Sequence, residues 1–224
     1  MQQTQLWLNI GACVLAAIVA YLLGSISSAV IVSRVYAHDD VRKYGSKNAG
    51  MTNVLRTYGK LPALFTFLGD FVKGILAVLA GRLIFSLLGV TDFDAGYLAG
   101  FFALLGHLYP IYFGFKGGKG VLTSLGIILV VNPLVLLILL IIFLPVLFIT
   151  RIVSLVSVTG AVLYPFVTLI VDLCLRKAVL FDFLFAVLFS LIVIWRHRGN
   201  IQRLLNGTER RIGDKKPEEQ GKNQ

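Results

Sequence analysis

Three polar segments in an otherwise apolar chain carry the residue types that chemistry needs. The first is Gly45-Ser46-Lys47-Asn48-Ala49-Gly50-Met51-Thr52-Asn53, followed by Arg56. Glycine lets backbone approach a ligand closely. Ser46, Asn48, Thr52 and Asn53 add hydrogen-bonding side chains, and the Arg56 guanidinium is a fork shaped for phosphate. A turn followed by a capped helix accounts equally well for this composition. The second segment is Gly114-Phe115-Lys116-Gly117-Gly118-Lys119-Gly120, leading into Val121-Leu122-Thr123. A glycine-rich turn that opens a helix aims backbone N–H groups at an anion, and the helix dipole adds to the attraction. Gly117, Gly118, Lys119 and Gly120 therefore form a candidate phosphate cradle, against the plainer reading of a flexible hairpin with two snorkelling lysines. The pattern excludes a nucleoside-triphosphate loop, because Gly120 follows Lys119 where Ser or Thr is required and Phe113 stands where Gly is required. The third segment is Trp195-Arg196-His197-Arg198-Gly199-Asn200-Ile201-Gln202-Arg203. A helix places His197 and Asn200 on one face, although a basic membrane anchor with an interfacial Trp reads the same way.

The remaining polar residues say less. Asp70 and Lys73 fall three apart inside an apolar run, where an ion pair satisfies itself and a structural role is expected. His107, in Gly106-His107-Leu108-Tyr109-Pro110, reads as a packing residue at a helix end. Ser154 and Ser157 flank an inner loop and are candidates to line a site, and His38 reads as solvated. Cys13 and Cys174 sit in apolar runs as small hydrophobes. With three histidines and no zinc-type spacing, no metal site and no cofactor are expected. Taken together, the three segments supply cations and amide donors for more than one phosphate and a single imidazole, with no nucleophile–base–acid arrangement for covalent catalysis.

These segments need elements to bring them together, and the composition says where those elements sit. Of 224 residues, 57% are apolar and 14% charged, against roughly 25% charged in a soluble domain. With a mean hydropathy of +0.84, lipid has to act as part of the solvent. This excludes a soluble domain, a disordered chain and a disulfide scaffold. The net charge of +10 lies in loops beside apolar runs, which suits the anionic cytoplasmic leaflet. Nucleic-acid binding is not expected, since no long basic surface with interleaved aromatics exists.

The chain reads as an all-α polytopic membrane protein. Residues 6–32 form a retained first span, since no basic start or cleavage site marks a signal peptide. Further apolar segments cover 61–90, 95–110, 121–149, 153–174 and 179–195. Reading 121–149 as two short spans turning at Asn132-Pro133 puts the loops 33–60, 113–120 and 150–152 and the basic tail on one side. Only Arg176 and Lys177 then violate the positive-inside bias. Seven transmembrane helices are expected, some short or tilted, with the N-terminus outside and the C-terminus cytoplasmic. Residues 1–213 make one membrane-embedded domain, and 214–224 a disordered tail.

In this order, the segments resemble the bacterial acyl-phosphate:glycerol-3-phosphate acyltransferases, the PlsY family. The resemblance rests on Gly45-Ser46-x-Asn48-x-Gly50-x-Thr52-Asn53-x-x-Arg56, Gly106-His107-x-Tyr109-Pro110, the run Phe113 to Gly120, and Arg196-His197-x-x-Asn200-Ile201. It extends from Gly24 to Gly207. Lys47, Met51 and Gly199 depart from what many members carry. The resemblance implies transfer of an acyl group from acyl phosphate to the 1-position of sn-glycerol 3-phosphate, giving lysophosphatidic acid and inorganic phosphate. This is the first step of phospholipid biosynthesis in the bacterial cell membrane, with the site at the cytoplasmic face. It carries over Ser46, Arg56, Lys119, His197 and Asn200 as site residues, with Ser154 or Ser157 in the third family motif. The implied partners are the two substrates, membrane lipid and the enzyme that makes acyl phosphate. His197, Lys119 and Asn200 are the expected catalytic residues, with either His197 or a substrate phosphate as base. The competing class is a membrane transporter of a phosphorylated metabolite, disfavoured because the polar segments gather at one face and not at the midplane.

Overall fold

The structure, a computed structural model, describes residues 2–91, 93–175 and 179–214. Arg176, Lys177 and all of the expected tail beyond Asp214 lie outside the described residues. Ten α-helices and no strand occur among the described residues: α1 (Gln2–Gly24), α2 (Ser28–Ala37), α3 (Met51–Tyr58), α4 (Lys60–Leu87), α5 (Ala95–Leu108), α6 (Val121–Val131), α7 (Pro133–Thr150), α8 (Val153–Cys174), α9 (Val179–Arg196) and α10 (Arg198–Leu205).

The fold is apolar on the outside. Trp7, Val14, Phe65, Leu83, Ile141, Ile149, Leu184 and Leu191 are all exposed, so lipid covers what water could not. The interior is built from small residues instead: Ala20, Ala77, Ala99, Ala103 and Ala186 are fully buried. With little hydrophobic gain from helix contact in lipid, close backbone approach is what holds the spans together. The crossing of α4 and α6 depends on it: a side chain at Gly74 would strike the Thr123 carbonyl, and one at Gly126 the Phe71 carbonyl. α4 packs against α1, α2, α3, α5 and α6, while α8 and α9 form a pair joined to α7.

Among the described residues, five helical segments are long and apolar enough to cross a membrane, or six if α9 and α10, bent by 64° at His197, are taken as one. The chain is thus a multi-pass membrane protein. Its first span runs from Gln3 to Ala37, longer than the expected 6–32, and breaks at residues 25–27. The break frees the Ile26 carbonyl, and Lys73 Nζ satisfies it at 2.8 Å while pairing with Asp70, also at 2.8 Å. The expected structural role of this ion pair is thereby explained. The run 121–149 divides at Asn132, whose side chain accepts from the Val135 amide and donates to Asp172. Pro133 at the first position of α7 needs no donor of its own. At 11 residues, α6 rises about 16 Å, roughly half of a ~30 Å hydrocarbon core.

Candidate active site

The loop between α2 and α3 is folded around one side chain. Asn53 Nδ2 donates to the carbonyls of Val41, Tyr44 and Asn48 at 3.0–3.1 Å, and its Oδ1 accepts the Ser46 amide at 3.1 Å. Asn53 also lines the cleft, but its amide protons are committed to shaping the loop, which leaves a ligand the second lone pair of Oδ1. Ser46, Asn48, Thr52 and Arg56 are displayed as a consequence.

The glycine turn is corrected in part. Gly117 and Gly118 donate their amides to the Leu108 and His107 carbonyls, both at 3.2 Å, which closes the open end of α5. Neither lines the cavity among the described residues. Their role is one of space: a Cβ at Gly118 would overlap the His107 ring and the Ala49 carbonyl. Among the described residues no backbone carbonyl accepts the amides of Lys119 to Thr123 at the start of α6, and Lys119 to Leu122 line the cleft. Gly120 makes this start possible, adopting φ +86°, a left-handed conformation that other residues resist. Of this segment, the cleft is lined by Lys119, Gly120 and the first turn of α6 in place of the two leading glycines.

One open cleft of about 820 Å³, counting solvent at its mouth, gathers these groups. Its walls include Ser46, Asn48, Thr52, Arg56, Lys119, Gly120, Ser154, Ser157, His197 and Asn200. The first turns of α3, α6, α8 and α10 all contribute residues to it. Each helix start presents partial positive charge, so the cleft is built for anions even before its cations are considered.

The electrostatics agree. Burial pushes the Lys119 ammonium down to about 8; Glu209 opposes that shift, while Arg203, Arg196 and Arg56 add to it. Lys119 Nζ donates to Asn200 Oδ1. Burial also lowers Arg56, half covered in the wall, but a guanidinium stays charged. His197 follows the last span and is 3% exposed. Its Nδ1 lies 2.8 Å from the Val193 carbonyl, a contact that needs a proton on Nδ1 and leaves Nε2 as a free acceptor. Burial holds this imidazole down to about 4, the Val193 bond acting in the opposite direction, so it is neutral at physiological pH.

Four ionisable residues of the wall lie outside the expected set. Asp70 and His107, taken as structural, reach the cavity floor. His107 Nδ1 lies 3.2 Å from Thr123 Oγ1 and 3.7 Å from Asp70. Arg203 and Glu209 enter because the chain folds back after α10: Glu209 accepts from Asn200 Nδ2 at 2.9 Å and from Arg203 Nε at 2.7 Å. Against burial, which acts to raise it, those bonds hold the Glu209 carboxyl below its usual range. A lone acid in a basic segment was the signal for it. Ser157 gives its proton to the Val153 carbonyl at 2.9 Å. His38 remains outside the cleft, at the left-handed end of α2, and no group of three or more potential metal ligands occurs among the described residues.

Residues 14–207 match the family model described as glycerol-3-phosphate acyltransferase. The glycerol-3-phosphate acyltransferase of Clostridioides difficile is 48% identical over 93% of this chain and 100% of its own length. That of Neisseria meningitidis serogroup C is 43% identical over 90% of this chain and 98% of its own. Among solved structures, the glycerol 3-phosphate form of PlsY (YgiH) is similar with a TM-score of 0.77 and 35% identity, over 90% of this chain and 96% of that one. Its lysophosphatidic acid form gives 0.74 and 34%, over 90% and 95%. A helical membrane bundle with a cation-lined cleft, matched over nearly its whole length in sequence and in fold, places this chain in the glycerol-3-phosphate acyltransferase family.

Proposed function

We propose that the chain transfers an acyl group from acyl phosphate to the 1-hydroxyl of sn-glycerol 3-phosphate, at the cytoplasmic face of the bacterial cell membrane. Acylation of glycerol 3-phosphate to lysophosphatidic acid follows from the family and from the two ligand forms of its solved neighbour. The phosphate donor, the site and the orientation are our reading. The observation that carries it is the convergence of four helix starts with Arg56 and Lys119 on one cleft, Arg203 being paired with Glu209 and Asp70 with Lys73; two cations and four dipoles offer more positive character than a single monoanion requires.

The chemistry uses the chain's own groups. An acyl phosphate is an activated mixed anhydride. The 1-hydroxyl oxygen bonds to the carbonyl carbon, the carbon–oxygen bond to phosphate breaks, and inorganic phosphate leaves with the electron pair. Lys119 and the amides at the start of α6 stabilise that leaving dianion; such donors contribute roughly 3–4 kcal/mol each where mutation has measured them. Ser46, Asn48, Thr52 and Arg56 hold the acceptor's phosphate, with Ser154 and Ser157 on the facing wall. Asn200, braced by Lys119 and Glu209, and His197 through Nε2 orient the hydroxyl. With its imidazole at about 4, His197 is a weaker base than a phosphate monoester, whose second pKa is about 6. The hydroxyl proton therefore passes to a substrate phosphate oxygen.

Residues 1–213 act as one unit with seven crossings. Parity supports this count. If the loops at 38–59, 109–120 and 151–152 and the segment after α9 all serve one cleft, each pair α4–α5, α6–α7 and α8–α9 goes out and returns, after one initial crossing. The cations of those loops suit a cytoplasmic position, close to the enzyme that supplies acyl phosphate. The deciding assay gives the purified chain glycerol 3-phosphate with palmitoyl phosphate or with palmitoyl-CoA. Product from the first donor alone is expected; product from the second alone refutes the donor assignment. Flux of glycerol 3-phosphate into sealed vesicles without product would favour a transporter instead.

A further inference from the structure

A turn that offers amides to an anion has to point its carbonyl oxygens elsewhere, because a carbonyl facing phosphate repels it. Here those oxygens are gripped from two sides. Arg42 Nη1 donates to the Phe113 carbonyl at 2.7 Å and to the Lys116 carbonyl at 3.0 Å. The rest of its guanidinium is fixed on Asp40, with Nε at 2.9 Å and Nη2 at 2.7 Å. Arg196 Nη2 donates to the Gly118 carbonyl at 2.9 Å, with its guanidinium 5.6 Å from the Tyr109 ring centre. Neither arginine lines the cleft.

Position in the chain gives these contacts a second meaning. Arg42 precedes the loop that displays Ser46 and Arg56, and Arg196 directly precedes His197. The turn is therefore tied to both of the other polar segments through its carbonyl edge, while the residues that follow it, Lys119 to Leu122, line the cleft.

We propose that Arg42 and Arg196 are positioning residues for acyl transfer: their guanidinium groups hold the carbonyls of the 113–118 turn outward, so that the amides of residues 119–122 meet the phosphate. This rests on the reading of the turn as a phosphate site. Lysine cannot substitute, because a point charge does not bridge two carbonyls and a carboxylate in fixed directions.

The test uses the full chain and inorganic phosphate as probe, measured as an inhibitor competing with palmitoyl phosphate. Inhibition and Michaelis constants depend on the geometry of the folded molecules and not on their number, so a role in stability alone lowers Vmax and leaves both constants unmoved. Arg42→Lys and Arg196→Lys keep the net charge, and each is expected to raise Ki for phosphate and KM for palmitoyl phosphate about tenfold, the usual effect of losing a charged hydrogen bond. If either lysine variant fails to fold, Asp40→Asn leaves the Arg42 guanidinium in place but loosens it, and a rise of about threefold is expected. Unchanged constants in the folded variants overturn the proposal. Lys119→Met separates the two claims: if it too leaves Ki for phosphate unchanged, the phosphate site itself is wrong.

Discussion

Lys119 makes opposite demands on stability and on activity. Its folded pKa of about 8 lies below the free value of 10.5. Between those limits the unfolded chain binds more protons than the folded one, so this residue's contribution to stability rises with pH. Anion binding needs the charged form, so kcat/KM should fall as pH passes about 8. Lys119→Arg should carry the plateau to higher pH, and a pH–rate profile of both proteins checks it. His197 is set the other way, neutral throughout the working range. We expect His197→Ala to lower kcat about tenfold, as for a lost orienting hydrogen bond, and not by the 10²–10⁴ of a lost general base. Single-turnover kinetics at saturating substrate separates the two.

At the scale of elements, spacing in sequence was a good guide to chemistry and a poor guide to partners. The turn at Asn132-Pro133 could be read because both residues end and start helices for reasons internal to themselves. The break at residues 25–27 could not, because a Ser pair in an apolar run looks like ordinary packing until Lys73 is found on the freed carbonyl. Arg42 looked like one more cation in a basic loop; its target lies about 70 residues away in sequence. Asn53 was picked out by residue type, which says nothing of whether its amide is already used. Glycines were legible as a class but not by task. Gly126→Val forces α6 off α4, an overpacking worth about 1–3 kcal/mol. It should lower Tm in detergent and shift Lys119, so activity falls further than the loss of folded protein explains. Gly120→Ala has a different cause, left-handed strain of roughly 1–3 kcal/mol. Denaturation curves alongside activity distinguish them.

For the molecule as a whole, the proposed orientation rests on the charge bias of the loops, while a cleft shared by those loops requires only that they lie on one side. With Cys13 and Cys174 replaced by alanine, a cysteine at Lys116 and another at Arg203 should be labelled by an impermeant thiol reagent from one side of sealed vesicles. One at Leu88 should be labelled from the other. Labelling of Lys116 and Arg203 from opposite sides would break the parity on which the seven crossings rest.

The distance along the chain between the cleft's first and last contributors, Ser46 and Glu209, has a consequence for biogenesis. A chain still emerging from the ribosome holds no working centre until nearly all of it has been threaded into the bilayer. Faulty insertion at any stage therefore yields an inert protein.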